Sequence, residues 1–331
     1  MEFKVFDCTI RDGSNAVDFN FSEETFRTII SALDKSGVGY IDLGHGLGLG
    51  ARDKCGKPGI LSEQEYLDIA KEEIKKAKYG MFFLAKFGDK KHIDMLADNG
   101  CNFIRIGSNI TEVDEVEQYV RHAKERGLYV NICLMKGYAV DIDDYIEIVK
   151  KVDSWKLDLI TVMDSAGTMM PYEVRQRIVQ GTLNTRNAEM GFHAHNNLQM
   201  GVANILTAVE SGATSIDVSV GGLGRSSGNA PTEIVALVLK RYGYNVNLDY
   251  KILSDLNDNT IYPLLKGVNR FSSEELTFGY SGFHSGFYPL VKKVMENYKH
   301  IDIRDLIIAM SEKEKVAVDE QLIIEVAESL G

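Results

Sequence analysis

LDLITVMDSAGTMMPYEVRQRIVQGTLNTRNAEMGFHAH, running from Leu157 to His195, is the stretch that decides the fold. Its apolar run Leu157 to Met163 opens onto Asp164-Ser165-Ala166-Gly167, and Pro171 then starts a helix. A second short apolar run begins at Met190 and ends in histidine at His193. A short strand, a polar turn, a helix and another short strand make one parallel β–α–β unit. Outward in both directions the same beat repeats. Strands are expected at Phe3 to Cys8, Tyr40 to Leu43, Met81 to Leu84, Phe103 to Ile106, Tyr129 to Leu134 and Ser215 to Val218. Helices are expected at Thr25 to Lys35 behind the cap Ser22, from Ser62 to about Ala77, at Lys90 to Asp98, Glu112 to Arg126, Asp143 to Val152, Gly201 to Glu210 and Thr232 to Arg241. Eight such units predict a closed (β/α)8 TIM barrel over 1–245. No Gly-x-Gly-x-x-Gly opens the first helix, which disfavours a dinucleotide-binding doubly wound sheet. After residue 246 the strand rhythm stops. Tyr250 to Leu265, Tyr288 to Tyr298, Ile303 to Met310 and Asp319 to Leu330 read as helices of a C-terminal helical domain, 246–331.

Composition narrows the function classes. A net charge of -11, with Lys and Arg scattered, excludes a phosphate-neutralising nucleic-acid surface. No apolar run approaches a membrane span. Cys8, Cys55, Cys101 and Cys133 lack Cys-x-x-Cys spacing and read as reduced thiols. Met1 leads almost directly into the first strand, with no signal peptide, so a cytoplasmic enzyme or binding protein is expected.

In such a barrel the chemistry collects just after the strands. Those positions hold Arg11 and Asp12, His45, Asp164 and Ser165, His193 and His195, and Arg225 and Asn229. Within an extended segment His193 and His195 share a face. By itself His-x-His fits a metal pair or two solvent-facing imidazoles equally. One carboxylate and two imidazoles on one rim make a three-donor site with open positions, suited to Mn2+, Mg2+ or Fe2+.

Asp7-Cys8-Thr9-Ile10-Arg11-Asp12-Gly13 resembles the first-strand signature of the DRE-TIM metallolyases, and His193-Ala194-His195-Asn196 resembles their seventh-strand motif. Within that superfamily the chain is most similar to the 4-hydroxy-2-oxovalerate (pyruvate) aldolases. Gly44-His45-Gly46, Asp164-Ser165-Ala166-Gly167, Ser227-Gly228-Asn229-Ala230-Pro231 and Leu276-Thr277-Phe278-Gly279-Tyr280-Ser281-Gly282 extend the likeness almost end to end. The resemblance implies that Asp12, His193 and His195 bind Mn2+ or Mg2+, with Asn229 as a weak ligand or support. Arg11 is then expected at the substrate's keto oxygen and Ser165 near its carboxylate, with His45 and Arg225 as further substrate contacts. The reaction implied is cleavage or formation of a 4-hydroxy-2-keto acid from pyruvate and an aldehyde, through an enolate that the metal and Arg11 stabilise. Relatives also pair with an acylating aldehyde dehydrogenase through the helical domain, and a homo-oligomer is compatible.

Two positions depart from the pattern. In these aldolases a histidine, the base for the 4-hydroxyl, stands two residues after the first motif's glycine; here it is Asn15. Relatives carry a tyrosine where this chain has His284. A neutral amide cannot take a proton, so the expectation is relocation: His284 as acid/base, Asn15 orienting substrate or water, and an altered aldehyde partner. The stretch Gly221 to Gly228 matches no phosphate-binding fingerprint and is expected to be a flexible loop. It also lacks the cysteine of hydroxymethylglutaryl-CoA lyases. Two other readings are open: a Claisen-type condensing enzyme like isopropylmalate synthase, and a non-catalytic family member acting as a partner protein.

Overall fold

The computed structural model describes residues 3–265 and 272–331. Strands β1 (Lys4–Asp7), β2 (Tyr40–Leu43), β3 (Lys78–Leu84), β4 (Phe103–Asn109), β5 (Tyr129–Met135), β6 (Leu159–Asp164), β7 (Glu189–Ala194) and β8 (Ser215–Val218) pair in parallel in chain order, and β8 returns to β1. The result is the expected closed (β/α)8 barrel. Around it run α1 (Glu23–Ser36), α2 (Glu63–Glu73), α3 (Lys90–Asp98), α4 (Glu117–Glu125), α5 (Ile142–Asp153), α6 (Pro171–Asn184), α7 (Gly201–Glu210) and α8 (Thr232–Arg241).

Local chemistry sets these boundaries. Ser22 caps α1 by accepting the Thr25 N–H, and Phe26, Ile29, Ile30 and Leu33 form its buried stripe. The helix expected to reach Ala77 stops at Glu73, because the Asp34 carboxylate takes the N–H groups of Lys76 and Ala77 at 2.8 and 2.7 Å. That turns the chain early into β3. The helix expected from Glu112 is broken too: a 3-10 stretch, Ile110–Val116, precedes α4, and Glu112 sits at φ -124 with its carboxylate holding the Asn109 amide at 2.7 Å. The long loop after β2 contains one helical turn, Ala51–Lys54.

Alternation along the strands splits the barrel into two environments. Outward residues such as Ile41, Ile104, Ile132, Ile160, Phe192 and Ile216 pack under the helices. Inward residues form layers. Phe6, Phe103 and Leu159 plug the N-terminal end, while Phe82, Cys133 and Met163 cluster separately. Polar side chains also fill the interior. Arg105, fully buried, donates from Nη1 to Asp42 (2.9 Å) and from Nη2 to Asp217, and Thr161 donates to Asn131 at 3.0 Å.

Beyond the barrel come α9 (Tyr250–Leu256), α10 (Ser273–Ser281), α11 (Tyr288–Met295), α12 (Ile303–Lys313) and α13 (Glu320–Leu330). The helix expected as one piece from Tyr250 passes from α9 through a π turn, Asn257–Ile261, into a short last turn, Tyr262–Leu264. Leu253, Leu256 and Ile261 bury in the barrel's own core. A separate core gathers Phe278, Phe283, Val291, Leu306, Ile307 and Ile323. Helix α10, which periodicity did not predict, is capped by Ser272 on the Glu275 N–H. Among the described residues no helix is long and apolar enough to cross a membrane.

Candidate active site

At the C-terminal rim, Asp12 follows β1, while His193 is the last residue but one of β7 and His195 lies just beyond the strand. One donor atom from each lies within 4.8 Å of the others, and all three side chains are buried. His195 Nε2 stands 4.0 Å from Asp12 Oδ2. The arrangement is held from behind. Asp217 Oδ2 lies 3.1 Å from His193 Nδ1, and Arg105 donates to the same carboxylate. That contact fixes the ring and leaves Nε2 for other use. Asn229 bridges to His195 through the backbone and donates from Nδ2 to Asp12 Oδ2 at 2.8 Å. His193 Nε2, His195 Nδ1 and Asn229 Oδ1 are buried with no hydrogen-bond partner. Buried polar atoms are rarely left so, and these donors fit a divalent cation. Gly224 makes room for the group: a Cβ there would meet Asn229 Nδ2 at 2.7 Å and Asp12 Oδ2 at 2.8 Å. Burial alone would raise the Asp12 carboxyl, but Arg11, His195 and His193 outweigh it and hold the group well below the carboxylate range. Burial pushes His195 down to about 3, so it is a neutral, ligand-competent imidazole.

The chain belongs to the HMGL-like family. The model of that description matches residues 2–259, and a second, described as a DmpG-like communication domain, matches 269–331. A protein of Bacillus cereus named 4-hydroxy-2-oxovalerate aldolase is 33% identical over 328 residues, 99% of this chain and 96% of that one. Its namesake in Geobacillus genomosp. 3 is 34% identical over 99% of this chain and 97% of its own length. Among solved structures, the carboxyl transferase domain of Rhizobium etli pyruvate carboxylase superposes with a TM-score of 0.80 at 13% identity, covering 100% of this chain and 61% of that one. That likeness shows the fold alone.

For an HMGL-like protein the important question is what lies against the three donors. A cavity of about 340 Å3 opens there, lined by Arg11, Asp12, Ser165, His195, Arg225 and His284, with Lys136 and Phe287 among its other walls. Arg11 donates from Nη1 to Asp12 Oδ1 (2.8 Å) and from Nε to Asp42 Oδ2 (3.1 Å), and its buried Nη2 has no partner. Ser165 Oγ accepts the Lys136 N–H at 2.9 Å. Gly286 donates its N–H to His284 Nδ1 at 3.2 Å. Burial and the charges of Arg225 and Lys136 hold the His284 imidazole well below its ordinary range.

Three expected residues lie elsewhere. His45 does not line the cavity: it stacks on Phe19 at 4.0 Å, accepts the Leu47 N–H at Nδ1 and sets Nε2 2.9 Å from the Lys57 carbonyl. Both ring nitrogens are therefore spent on the backbone. Asn15 is likewise outside, its Nδ2 donating to the Asp12 carbonyl at 2.9 Å. Asp164 organises the loop after β6 by accepting the Thr168 and Met169 N–H groups, and burial raises its carboxyl to about 7. The Gly221–Gly228 segment, expected to be a flexible loop, is tied down: Asn197 Nδ2 donates to Ser226 Oγ at 2.8 Å and to the Glu275 carbonyl at 3.0 Å, and Ser226 donates to the Glu275 carboxylate.

Sequence reasoning overlooked Lys136, Asp217 and Arg105. For Lys136 a signal existed, since it immediately follows β5 as the other candidates follow their strands. Asp217 and Arg105 sit inside strands, where a charged residue on the inward face was the only cue.

Proposed function

We propose that this protein is a divalent-metal-dependent aldolase that joins pyruvate to an aldehyde and cleaves the resulting 4-hydroxy-2-keto acid. The observation that carries this reading is the Asp12, His193, His195 donor set, which reaches through Asp12 and His195 the cavity that Arg11, with its unpartnered Nη2, also lines. Relatives named 4-hydroxy-2-oxovalerate aldolase, matched over nearly the whole chain, support it. Asp12, His193 and His195 would hold the ion, with Asn229 steadying Asp12; Mn2+ or Mg2+ suits this mixed carboxylate and imidazole set. Bound there, the ion supplies Lewis acidity towards the oxygens of the keto acid. Arg11 Nη2 meets the negative charge that develops on the keto oxygen. Ser165 Oγ, oriented by the Lys136 N–H, donates to the carboxylate.

The chain divides, in this reading, into a catalytic barrel, 1–245, and a helical unit, 246–331, whose first residues Leu253, Leu256 and Ile261 pack into the barrel's core. The DmpG-like communication domain supports docking of an acylating aldehyde dehydrogenase on that unit. The test is exchange of the pyruvate methyl protons in deuterated water with Mn2+, together with pyruvate release from short 4-hydroxy-2-keto acids. Both are expected; the absence of both would overturn the reading.

His284 carries the acid/base role. Its depressed pKa keeps it neutral at pH 7; taking the 4-hydroxyl proton at Nε2 uses the tautomer with Nδ1 protonated, which gives up the Gly286 N–H contact, and the cleavage rate should show no inflection near pH 6.5, where an ordinary histidine titrates. His284→Ala is expected to lower cleavage by about 10²-fold or more while leaving Mn2+ affinity intact. Full turnover in that variant would remove His284 from the mechanism.

A further inference from the structure

The cavity's charge runs against that of the whole protein. The chain carries a net charge of -11, yet the cavity is lined by Arg11, Lys86, Lys136 and Arg225, with Asp12 as its sole carboxylate among the described residues. Arg11 is committed to Asp12 and Asp42. Arg225 and Lys136 are less closely matched: Asp12 acts on Arg225, and Glu112 and Glu314 on Lys136, only from beyond ion-pair distance. Arg225 Nε is buried without a hydrogen-bond partner. Lys136 is 5% exposed, donates from Nζ to the Val316 carbonyl and lies 5.0 Å from the centre of the Phe287 ring. Among the described residues neither forms an ion pair with a carboxylate. A carbonyl and an aromatic face do not neutralise a buried ammonium, and an unpaired buried cation is costly unless an anion joins it.

Position shows which part of the substrate would meet them. The two cations come from different strand ends, Lys136 after β5 and Arg225 after β8, and converge on the segment from His284 to Phe287. A Cβ on Gly286 would lie 2.8 Å from His284 Nδ1 and 3.7 Å from Arg225 Nη1, so Arg225 and His284 border one gap. His284 faces the carbon that bears the 4-hydroxyl, if the aldolase reading above holds. The aldehyde's remaining atoms therefore extend towards Arg225 and Lys136. Lys136 also holds a left-handed backbone, φ +56, that a non-glycine residue adopts at a cost. Burial lowers its ammonium to about 8, still protonated at neutral pH.

We propose that the aldehyde partner is anionic, a short aldehyde bearing a carboxylate or phosphate that Arg225 and Lys136 bind. The proposal rests on the aldolase reading. The reaction stays balanced without a further reactant: the pyruvate methyl carbon loses a proton and bonds to the aldehyde carbon, and the aldehyde oxygen takes up a proton as the new hydroxyl. At about 340 Å3 the cavity is at the lower end of the roughly 300–1,000 Å3 common for ligand pockets, which suits a chain of few atoms.

The experiment uses the Mn2+-loaded full chain with pyruvate and two matched aldehyde pairs: succinic semialdehyde against butanal, and glyceraldehyde 3-phosphate against glyceraldehyde. Expected is a preference of roughly tenfold or more in kcat/KM for the charged member of at least one pair, and the pair that shows it identifies the anion. Arg225→Gln should erase most of that preference through the KM of the charged aldehyde, and Lys136→Met should weaken it. Should Arg225→Gln fail to fold, Arg225→Lys and Lys136→Met carry the same test. Equal or better use of both neutral aldehydes would overturn the proposal. So would an Arg225→Gln enzyme that keeps the preference, or one whose pyruvate KM rises equally with every aldehyde, which would put Arg225 at the pyruvate end. Wild-type protein that exchanges pyruvate methyl protons but prefers neutral aldehydes sinks this inference alone. If it neither exchanges nor condenses, the aldolase reading fails, and titration with succinate and inorganic phosphate decides the anion site: wild-type binding that Arg225→Gln weakens roughly tenfold supports it, and no binding overturns it.

Discussion

Asp12→Asn is expected to leave the barrel folded while lowering metal-dependent turnover by about 10³-fold or more. The fold survives because Arg11 keeps its second partner, Asp42, and is not left as an orphan charge. The activity does not, because Asp12 is the one carboxylate of the donor set, and several kcal/mol of Lewis-acid stabilisation convert to about three powers of ten in rate. Titration of Mn2+ by electron paramagnetic resonance, alongside turnover, checks both halves. Unchanged Mn2+ affinity would take the ion away from Asp12. With Arg11, His195 and His193 holding the carboxyl well below its usual range, Asp12 stays ionised throughout ordinary assay conditions.

The second large effect is on stability. Arg105 bridges Asp42 and Asp217 in the barrel interior, with no part of the three side chains exposed. Arg105→Leu would leave the buried Asp217 with no cation but the His193 ring, while Asp42 keeps Arg11, and breaking a buried pair from one side costs about 3–5 kcal/mol. Urea unfolding should show that loss; a change below about 1 kcal/mol would mean that water or rearrangement compensates. The pH dependence should reverse as well. In the wild type, burial raises Asp217 but Arg105 and His193 outweigh it and depress its pKa, so its stabilisation is present above the unfolded value and fades as the folded group protonates in acid. Without Arg105, burial dominates and raises Asp217, so the variant's deficit should narrow as pH falls. Because Arg105 holds the Asp217 carboxylate that orients His193, Mn2+ affinity should also drop, by less than the about 10–100-fold that removing the supporting carboxylate itself would cost.

These expectations show how unevenly the molecule could be read from its residues. Strand and helix order came through well because periodicity is local: the outward Ile104, Ile132 and Ile160 and the inward Phe103 and Leu159 alternate as a pleated strand requires. Boundaries were missed where a side chain from elsewhere intervened, as when Asp34 ends α2 from another element. Asp12, His193 and His195 were found as a set since each stands at a strand end. His45 stands at a strand end too, yet it turns to Phe19 and Lys57. Strand-end position selects candidates, but rotamer and loop path decide which enter the cavity.

What the residues alone determined was therefore the barrel, the helical segments after it and the three donors, all written in short-range patterns and ordered motifs. Only the tertiary structure decided which groups surround those donors. Closure of the barrel brings Asn229 to Asp12 across 217 positions and Arg105 to Asp217 across 112, and the packing of the helical unit on the rim brings Val316 to Lys136 across 180. No local pattern encodes such meetings, because they depend on how eight loops converge at one rim and on where the helical unit sets His284 and Phe287 against them.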